Sequence, residues 1–251
     1  MVKRLTMASR RIIIMSLCCL ICLAAPARAG QALLVKGMEA QQAGRNAEAL
    51  KLLSAYVDRY PQIAEARYYR ALALNGLGRN QEALEDVDKA LADNPGNVKA
   101  LLLKGNILVA LDRRPEAILM YSQVMKCDPG NAEACKERGD CLAQEGKFDE
   151  AIADLNQAAR LTPRDPWVFN KRGMAWFCQG EYQKAVGDFT TAIHLSPDLA
   201  MSYFFRGNIY RHHLHERDKA IADFQEGCRL GSSLCCGELE KMGVKPAARG
   251  R

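Results

Sequence analysis

Apolar residues in this chain recur at the spacing of an α-helix. Between Ala83 and Leu91 they fall at i, i+1, i+4, i+7 and i+8, which places them on one stripe of a helix. Phe169, Gly173 and Trp176 form another stripe at i, i+4 and i+7. Residues 30–251 contain no run in which apolar and polar residues alternate as they do in a strand. The pattern therefore predicts an all-α fold.

The helical stripes belong to a unit that repeats every 34 residues. Each unit contains two stripes separated by a short break, and it ends with a proline that the preceding helix cannot easily accommodate. Each unit is therefore predicted to be two helices and two turns, and six such units extend over residues 30–234. Three columns carry the period: Pro61, Pro95, Pro129, Pro163 and Pro197; Ala49, Ala83, Ala117, Ala151 and Ala185; and Gly37, Ala71, Gly105, Gly139, Gly173 and Gly207.

The columns of small residues have a packing reason. Two helices approach closely only where a side chain is nearly absent, so Gly139 in a first helix and Ala151 in the second predict where that pair crosses. A larger side chain at either position would overpack the contact, at a cost of about 1 to 3 kcal/mol.

The order of residues within the units resembles the tetratricopeptide repeat family, whose unit has this length and the order Gly-x2-Tyr, Ala-x3-Phe, Pro. Unit five matches most fully, with Gly173-x2-Trp176 and Ala185-x3-Phe189. The resemblance implies a right-handed superhelical solenoid of six tetratricopeptide helix-turn-helix repeats over residues 30–234. It also implies that the first helices line a concave side that holds an extended peptide or a partner helix.

The segment after the sixth unit is predicted to close the array. Residues 232–243 read as one amphipathic helix with a serine cap and with Leu234, Leu239 and Met242 on its apolar side. Solenoids need such a capping helix because the last repeat would otherwise expose its apolar face. Residues 244–251 have no apolar periodicity and are predicted to be a disordered basic tail.

Residues 1–29 have the three parts of a secretory signal peptide: a basic start, an apolar run and an Ala-x-Ala motif at the end. The apolar run over residues 12–25 is shorter than the roughly 20 residues that a helix needs to cross a bilayer. We therefore expect cleavage before Gly30, export to the bacterial periplasm and no stable membrane span in the mature protein. An uncleaved N-terminal anchor is the alternative.

The net charge of +6 comes almost entirely from that leader, which has five of the 35 basic residues and none of the 29 acidic ones. The rest of the chain is nearly balanced, and it lacks the broad basic surface that binding to a phosphate backbone requires. We therefore expect no nucleic acid partner.

Catalytic and cofactor motifs are absent from residues 30–251. There is no Gly-x-Ser-x-Gly, no phosphate-binding glycine loop, no His-Glu-x-x-His and no Cys-x-x-Cys. His212, His213 and His215 cluster in the lengthened turn of unit six. With Glu216 they could form a metal site, but the group lacks the ligand spacing of known sites and is interpreted as an exposed polar loop. We expect a protein that is not an enzyme and uses no small-molecule substrate, cofactor or metal.

Seven cysteines follow the leader, and an exported protein meets an oxidising compartment in which disulfides form. Cys228 and Cys236 lie on opposite sides of a turn, where antiparallel helices could bring their Cα atoms within about 4.4 to 6.8 Å. Cys235 competes for the same bond, and a helical rotation of about 100° between neighbours predicts that only one of the two faces the last repeat. Cys127 and Cys135 are a second candidate pair, and buried free thiols are the alternative to both.

The first helices carry more apolar surface than their own packing needs. A second stripe of apolar residues and asparagines lies beside the packing stripe in most units. Aromatic anchors supply desolvated contact area, and asparagine side chains can bond to a partner's backbone. This stripe is interpreted as the partner-binding groove, and packing on adjacent helices is the alternative for any single residue. Its members are Tyr68, Leu72, Leu102, Asn106, Lys136, Asp140, Trp167, Asn170, Met174, Phe177, Met201, Phe204, Asn208 and Arg211.

One known recognition mode of the family does not fit these residues. Some members bind the carboxylate ends of chaperone tails with a Lys, Asn, Asn, Lys, Arg set spread over three first helices. Lys136 matches that set, but Asp140 stands where it needs Asn and Met201 where it needs Lys. The sequence therefore does not predict such a clamp.

A basic residue precedes the small column in every unit, where the family often has leucine. We interpret it as a long stem that packs on neighbouring residues while its charged head reaches water, and a basic groove is the alternative. Asp86 and Asp88 are likewise interpreted as solvated residues on a helix. The basic column is Lys36, Arg70, Lys104, Arg138, Arg172 and Arg206.

These observations predict a non-catalytic interaction scaffold of the cell envelope that binds a peptide segment or a helix of a partner protein in its groove. The alternative is a structural assembly factor that joins an envelope complex through its convex or end surfaces. Only the first predicts that groove residues such as Trp167, Phe177 and Phe204 are needed for binding.

Overall fold

The computed structural model describes residues 30–245. The regular structure in that range consists of thirteen α-helices and no strand, which confirms the predicted all-α fold. The predicted signal peptide and residues 246–251 of the predicted tail lie outside the described residues. The helices are α1 (30–42), α2 (Asn46–Arg59), α3 (Ala64–Gly76), α4 (Asn80–Asp93), α5 (Val98–Ala110), α6 (Arg114–Cys127), α7 (Ala132–Gln144), α8 (Phe148–Leu161), α9 (Pro166–Cys178), α10 (Tyr182–Leu195), α11 (Ala200–His212), α12 (Arg217–Arg229) and α13 (Ser233–Lys241).

The helices divide into two compact bodies, an N-terminal body with α1 to α5 and a C-terminal body with α6 to α13. In the N-terminal body α2 to α5 each pack on the next helix, and α3 also contacts α5. In the C-terminal body α6 to α13 pack in the same way, and α7 also contacts α9. The odd-numbered helices α1 to α11 are the first helices and the even-numbered ones the second helices of six repeats. This alternation confirms the predicted helix pairs.

Gly139 on α7 lies where the first helix meets the second helix of its own repeat. A Cβ atom there would lie 3.1 Å from the backbone oxygen of Ala151 and 2.8 Å from Cγ of Leu155 on α8. Gly173 has the same position in the next repeat, and its Cβ atom would lie 3.0 Å from the ring of Phe189. These contacts confirm the predicted crossing at Gly139 and Ala151, because a close-packed interior leaves no room for a larger side chain.

The inner turn of a repeat requires one residue in the left-handed region. Gly78, Gly146 and Gly180 take this position with φ angles of 74°, 76° and 85°, which glycine adopts at no steric cost. In the third repeat Asp112 adopts the same conformation with a φ of 59°, and in the lengthened turn of the sixth His215 does so with a φ of 57°. The turn is therefore kept even where glycine is absent.

The arginines of the basic column bind buried aspartates. Asp86 is only 3% exposed, and Arg70 donates to its two carboxylate oxygens at 2.6 and 2.7 Å. Arg172 holds Asp188 at 2.8 and 2.7 Å and also donates to Oδ1 of Asn156, on the preceding second helix, at 2.8 Å. The interpretation of Asp86 as solvated is therefore wrong, and these charged heads neither point to water nor form a basic groove. The pairs are Arg70–Asp86, Arg138–Asp154, Arg172–Asp188 and Arg206–Asp223.

The third repeat departs from this arrangement. It has Lys104 in the basic column and Met120 at the position that aspartate takes in the second, fourth and fifth repeats. Lys104 instead binds Asp88 of the preceding second helix at 2.7 Å. Asp88 stays half-exposed, so its interpretation as a surface residue agrees with the structure.

The C-terminal helix α13 covers the end of the sixth repeat. Cys235, Leu239 and Met242 are buried in one cluster with side chains of α12. Ser232 begins the helix, because its side chain accepts the backbone N–H of Cys235 at 3.3 Å. Leu234, which was expected on the buried side, is 51% exposed. The helix therefore covers α12 as a cap should, but with Cys235 in the place expected for Leu234.

A disulfide joins Cys228 of α12 to Cys236 of α13, and their Cα atoms lie 4.8 Å apart. Cys235 is buried over Gly227, where an added Cβ atom would lie 2.3 Å from its Sγ atom. Both neighbours therefore contact α12, and the expectation that only one would do so is wrong. The reason is that Gly227 has no side chain, which lets the two helices approach closely. The second candidate pair, Cys127 and Cys135, is not bonded. The free thiols among residues 30–245 are Cys127, Cys135, Cys141, Cys178 and Cys235.

Candidate functional site

A groove opens on the C-terminal body between residues of the first helices α7, α9 and α11. Its cavity has a volume of about 600 Å³, a size typical of clefts that hold a ligand. We call it the first-helix groove. Its polar lining includes Asp140, Asn170 and Lys171, and its apolar lining is formed by Ala143, Phe148, Trp167, Met174, Met201 and Phe205.

Two large apolar side chains of the first-helix groove face solvent. Trp167 on α9 is 52% exposed, and Met201, which holds the same position of the next repeat, is 41% exposed. The start of α9 is fixed beside Trp167, because Asp165 accepts the backbone N–H of Trp167 at 2.9 Å. Water therefore contacts apolar surface on an ordered part of the chain, and a partner that covered this surface would gain free energy.

Asn170 connects the helices that carry these two side chains. It is 8% exposed, and its Nδ2 atom donates to Oγ of Ser202 on α11 at 2.8 Å. A buried amide that finds a partner contributes order as well as stability, because leaving it unpaired would cost about 1 to 3 kcal/mol. The wall of the groove between α9 and α11 is thus held in place without a ligand.

A chain of ion pairs lies along the α7 side of the groove. Lys171 of α9 binds Asp140 and, at 3.5 Å, Glu137, both on α7. Burial acts to lower the pKa of Lys171, but the two carboxylates outweigh it, so the pKa is raised and the side chain stays charged. Lys136 binds Asp165 at 3.1 Å and Glu137 at 3.8 Å. Asp140 and Lys136, both predicted as partner contacts, are therefore engaged in ion pairs within the protein.

Phe177 was predicted to contact a partner, but it packs between repeats five and six. Its ring centroid lies 6.0 Å from that of Tyr182, 6.3 Å from that of Phe205 and 5.8 Å from that of His213. His213 also stacks on Tyr182 with ring centroids 3.8 Å apart. Phe177 thus follows the alternative reading for the stripe. His213 packs on these rings but stays exposed, as do His212 and His215, so the interpretation of this turn as an exposed loop agrees with the structure.

In the sixth repeat the C-terminal helix packs on part of the equivalent stripe, whereas Met201 at its start stays exposed at the groove. Phe204 packs on the cluster under α13, with its ring centroid 6.4 Å from that of Phe224. Arg211 forms an ion pair with Glu238 of α13. Asn208 donates to the backbone oxygen of Phe204 at 3.0 Å. These three predicted groove residues are therefore occupied by contacts within the protein.

The predicted residues of the N-terminal body do not form one site. Tyr68 lines a cavity of about 330 Å³ whose other lining includes Glu65, Asn94 and other polar residues. Leu72 and Leu102 lie half-buried on α3 and α5, outside that cavity. Asn106 is also half-buried on α5.

Five residues that were predicted from the sequence line the groove, and other residues that line it were not predicted. Asp140, Trp167, Asn170, Met174 and Met201 belong to the predicted stripe and line the first-helix groove together. The missed residues on α9 and α11 are Lys171, Phe205 and Cys178. Lys171 and Phe205 share one position of successive repeats, next to the predicted stripe, so this column was the signal that could have found them.

Two further findings concern residues 30–245. Within this range no three side chains of His, Cys, Asp or Glu are grouped so that they could hold a metal ion. None of the helices that the structure describes is both long enough and apolar enough to cross a bilayer.

Family models match the repeats of this chain. Two models described as "Tetratricopeptide repeat" match residues 34–98 and 74–134, and one described as "TPR repeat" matches residues 139–177. Together these matches extend over more than half of the chain. A search of curated protein sequences found no match.

Solved structures share the fold at low sequence identity. One described as "Functional Characterization of Pseudomonas Aeruginosa pilF" is 21% identical, with a TM-score of 0.72, and the match covers 86% of this chain and 98% of that one. One of MamA from MSR-1 is 24% identical, with a TM-score of 0.61, covering 67% and 97%. YrrB, described as "a TPR protein with an unusual peptide-binding site", is 19% identical, with a TM-score of 0.61, covering 75% and 97%. At these identities the similarity shows the fold.

Proposed function

Because the chain belongs to the tetratricopeptide repeat family, we propose that it is a non-catalytic scaffold that binds a peptide segment or helix of a partner protein in the first-helix groove. The observation that carries the proposal is the cavity of about 600 Å³ at which Trp167 and Met201 expose apolar surface. Proteins of this family are generally interaction modules without catalysis. The description of YrrB makes a peptide the first class of partner to test.

The groove supports binding through a few anchor side chains. A large apolar side chain that became fully buried against Trp167, Met174 and Phe205 would contribute about 1.5 to 3 kcal/mol. The bond from Asn170 to Ser202 orders the wall before the partner arrives, which lowers the entropy cost of association. Affinity would therefore depend on one or two anchors at the groove more than on the total contact area.

The polar groups at the groove support a role without catalysis. Asp140 and Lys171 neutralise one another, and Asn170 is bonded to Ser202. A catalytic site instead needs a nucleophile or base with a hydrogen bond that activates it and space for a reacting atom. The groups named here serve the packing of α7, α9 and α11.

We also propose that the protein functions outside the cytoplasm, in the periplasm. Support comes from the basic, apolar and Ala-x-Ala order of residues 1–29 and from the bond between Cys228 and Cys236, since structural disulfides persist in oxidising compartments. The intact mass of the protein from its native host tests this. A mass that still included residues 1–29 would rule out the cleavage step.

The test of groove binding is a crosslinking pull-down from the native envelope. The wild type is compared with Trp167→Ala/Met201→Ala, which removes the two exposed apolar side chains. Leu119→Ala is the matched control, because Leu119 is 60% exposed on the second helix α6 and does not line the groove. We expect the double variant to lose the crosslinked partner and the control to retain it.

The same experiment separates the assembly-factor alternative from the proposal. That alternative predicts that the groove variant keeps its partner, because the convex or end surfaces would carry the contact. A partner lost with Leu119→Ala and retained by Trp167→Ala/Met201→Ala would therefore favour the alternative and contradict groove binding.

A further inference from the structure

One position of successive first helices runs from the groove, which Trp167 and Met201 line, to the exposed start of α7 beside it. Glu133, Trp167 and Met201 hold this position in repeats four, five and six, on α7, α9 and α11. Since α7 contacts α9 and Asn170 of α9 bonds to α11, a segment that crosses these helices meets the acid, then the indole, then the thioether. The row is therefore charged at one end and apolar at the other.

The charged end has more carboxylates than it can neutralise. Among the described residues, the ion pairs on the α7 side join the three carboxylates of Glu137, Asp140 and Asp165 to the two ammonium groups of Lys136 and Lys171. Both lysines are partly buried and fully engaged in these pairs. A negative charge therefore remains at this edge before any exposed acid is added.

Glu133 adds a further negative charge on the preceding turn of α7. Its side chain is exposed, and no ion pair joins it to another of the described residues. Burial raises the pKa of the buried Tyr121, and Cys141 followed by Glu137, Glu133 and Asp140 raises it further. Like charges at one edge repel an acidic partner and attract a basic one.

We propose that the partner segment carries a lysine or arginine that binds over Glu133 and the acidic α7 edge, and a large apolar residue that enters the groove at Trp167 and Met201. This inference rests on the proposed function and names the chemistry of the partner. It disfavours acidic tails as partners, because Lys136 and Lys171 at this edge are already bonded to carboxylates of the protein.

The row also sets the spacing within the partner segment. Axes of packed helices lie about 8 to 10 Å apart, and an extended chain rises about 3.3 Å per residue. An extended segment that crosses from α7 to the pocket at α9 therefore places its basic residue about three positions from its apolar anchor.

The first experiment selects random dodecapeptides displayed on phage for binding to the full protein. Selected peptides are then tested on Trp167→Ala/Met201→Ala, and those that bind only the wild type are groove-dependent. We expect groove-dependent peptides to be enriched in lysine or arginine about three positions from a large apolar residue.

The second experiment titrates one selected peptide, synthesised with a fluorescent label, against Glu133→Gln. Glu240→Gln is the control, because Glu240 is exposed on α13 and its replacement makes the same change in net charge away from the groove. Glu133→Gln should weaken binding about two- to fivefold, as expected for one exposed ion pair, and the control should leave it unchanged. A peptide with glutamine in place of its basic residue should bind the wild type and Glu133→Gln equally.

The outcomes separate the inference from the proposed function. Groove-dependent peptides without enriched basic residues, or equal binding to Glu133→Gln and Glu240→Gln, would overturn the inference and leave groove binding in place. A selection that yields no groove-dependent peptide would overturn the proposed function, and this inference with it.

Discussion

Repeats five and six present the same stripe of their first helices to different surroundings. In repeat five the stripe on α9 stays open, and Trp167, Asn170 and Met174 line the first-helix groove. In repeat six α13 packs on Phe204 and pairs with Arg211 of the stripe on α11, while Met201 at the start of that stripe stays exposed at the groove. The comparison teaches that the position of a residue in the repeat does not decide whether it binds or packs. The element that follows in the chain decides it.

The two stripes also differ in the type of side chain at equivalent positions, and each side chain matches the residues that surround it. Arg211 corresponds to Phe177 of repeat five, and its charge is matched by Glu238 of the covering helix. Phe177 instead fills the contact with Tyr182 and Phe205. One stripe is thus complementary to a segment of the same chain, whereas the other leaves Trp167 without a cover.

The largest expected loss of stability comes from removing the C-terminal helix that covers Phe204 in repeat six. Deleting the chain from Ser232 onward would expose Phe204, Phe224 and the rest of the cluster under α13. The loss of buried Leu239 and Met242 alone corresponds to roughly 4 kcal/mol of unfolding free energy. We expect a lower thermal midpoint by circular dichroism and self-association on a sizing column. A truncated protein that melted like the wild type as a monomer would contradict the capping role.

Two single alanine substitutions, one in each stripe, test the contrast between the stripes of repeats five and six. Phe204→Ala should lower the free energy of unfolding by about 3 kcal/mol, because it leaves a cavity in the cluster under α13. Trp167→Ala should change it by under about 0.5 kcal/mol, because the side chain is half in water. Urea unfolding of the two variants measures the difference. Equal losses of stability would mean that the stripe of repeat five is a packing surface as well.

Removing the covalent link of the cap should have a smaller effect. The double variant Cys228→Ser/Cys236→Ser opens a short loop, for which chain entropy gives about 2.5 kcal/mol. We expect faster hydrogen exchange in α13 and little change in α9. Peptide mapping of the non-reduced, exported wild type provides the control, and a Cys228 that a thiol reagent modifies without reductant would refute the bond.

The smallest expected effect is at the wall of the open stripe. Asn170→Ala leaves Ser202 without its donor, which should cost about 1 kcal/mol of stability. Ser202→Ala removes the other partner and should cost a similar amount, while the double variant should cost less than the sum of the two. Additive losses in this cycle would show that the bond between the helices contributes nothing.

The period of the sequence was sufficient to predict the elements of the fold. A strict repeat with small residues at one position predicted the helix pairs and their crossing at Gly139, because local spacing and close packing leave one solution. The burial of Asp86 was not predictable in the same way, because its partner Arg70 lies on another helix and only the folded pair brings them together.

The candidate site was predictable only in part. The stripe identified Trp167 and Met201 because their position repeats, but the sequence does not show which stripe another segment will cover. The burial of Phe204 depends on how closely α13 approaches α12, and that approach depends on the missing side chain of Gly227. The groove is formed by helices of successive repeats that pack on one another, so it could not be predicted from the sequence of one repeat alone.

The arginines of the fourth to sixth repeats have a consequence for how this part of the chain melts. Arg172 on α9 bonds to Asp188 on α10 and to Asn156 on α8, so one side chain connects three consecutive helices. When either neighbouring helix unravels, a buried charge loses a partner, and the cost of that loss passes to the next repeat. Repeats four to six should therefore melt in one cooperative step, with a calorimetric enthalpy close to the van't Hoff value, instead of fraying one repeat at a time.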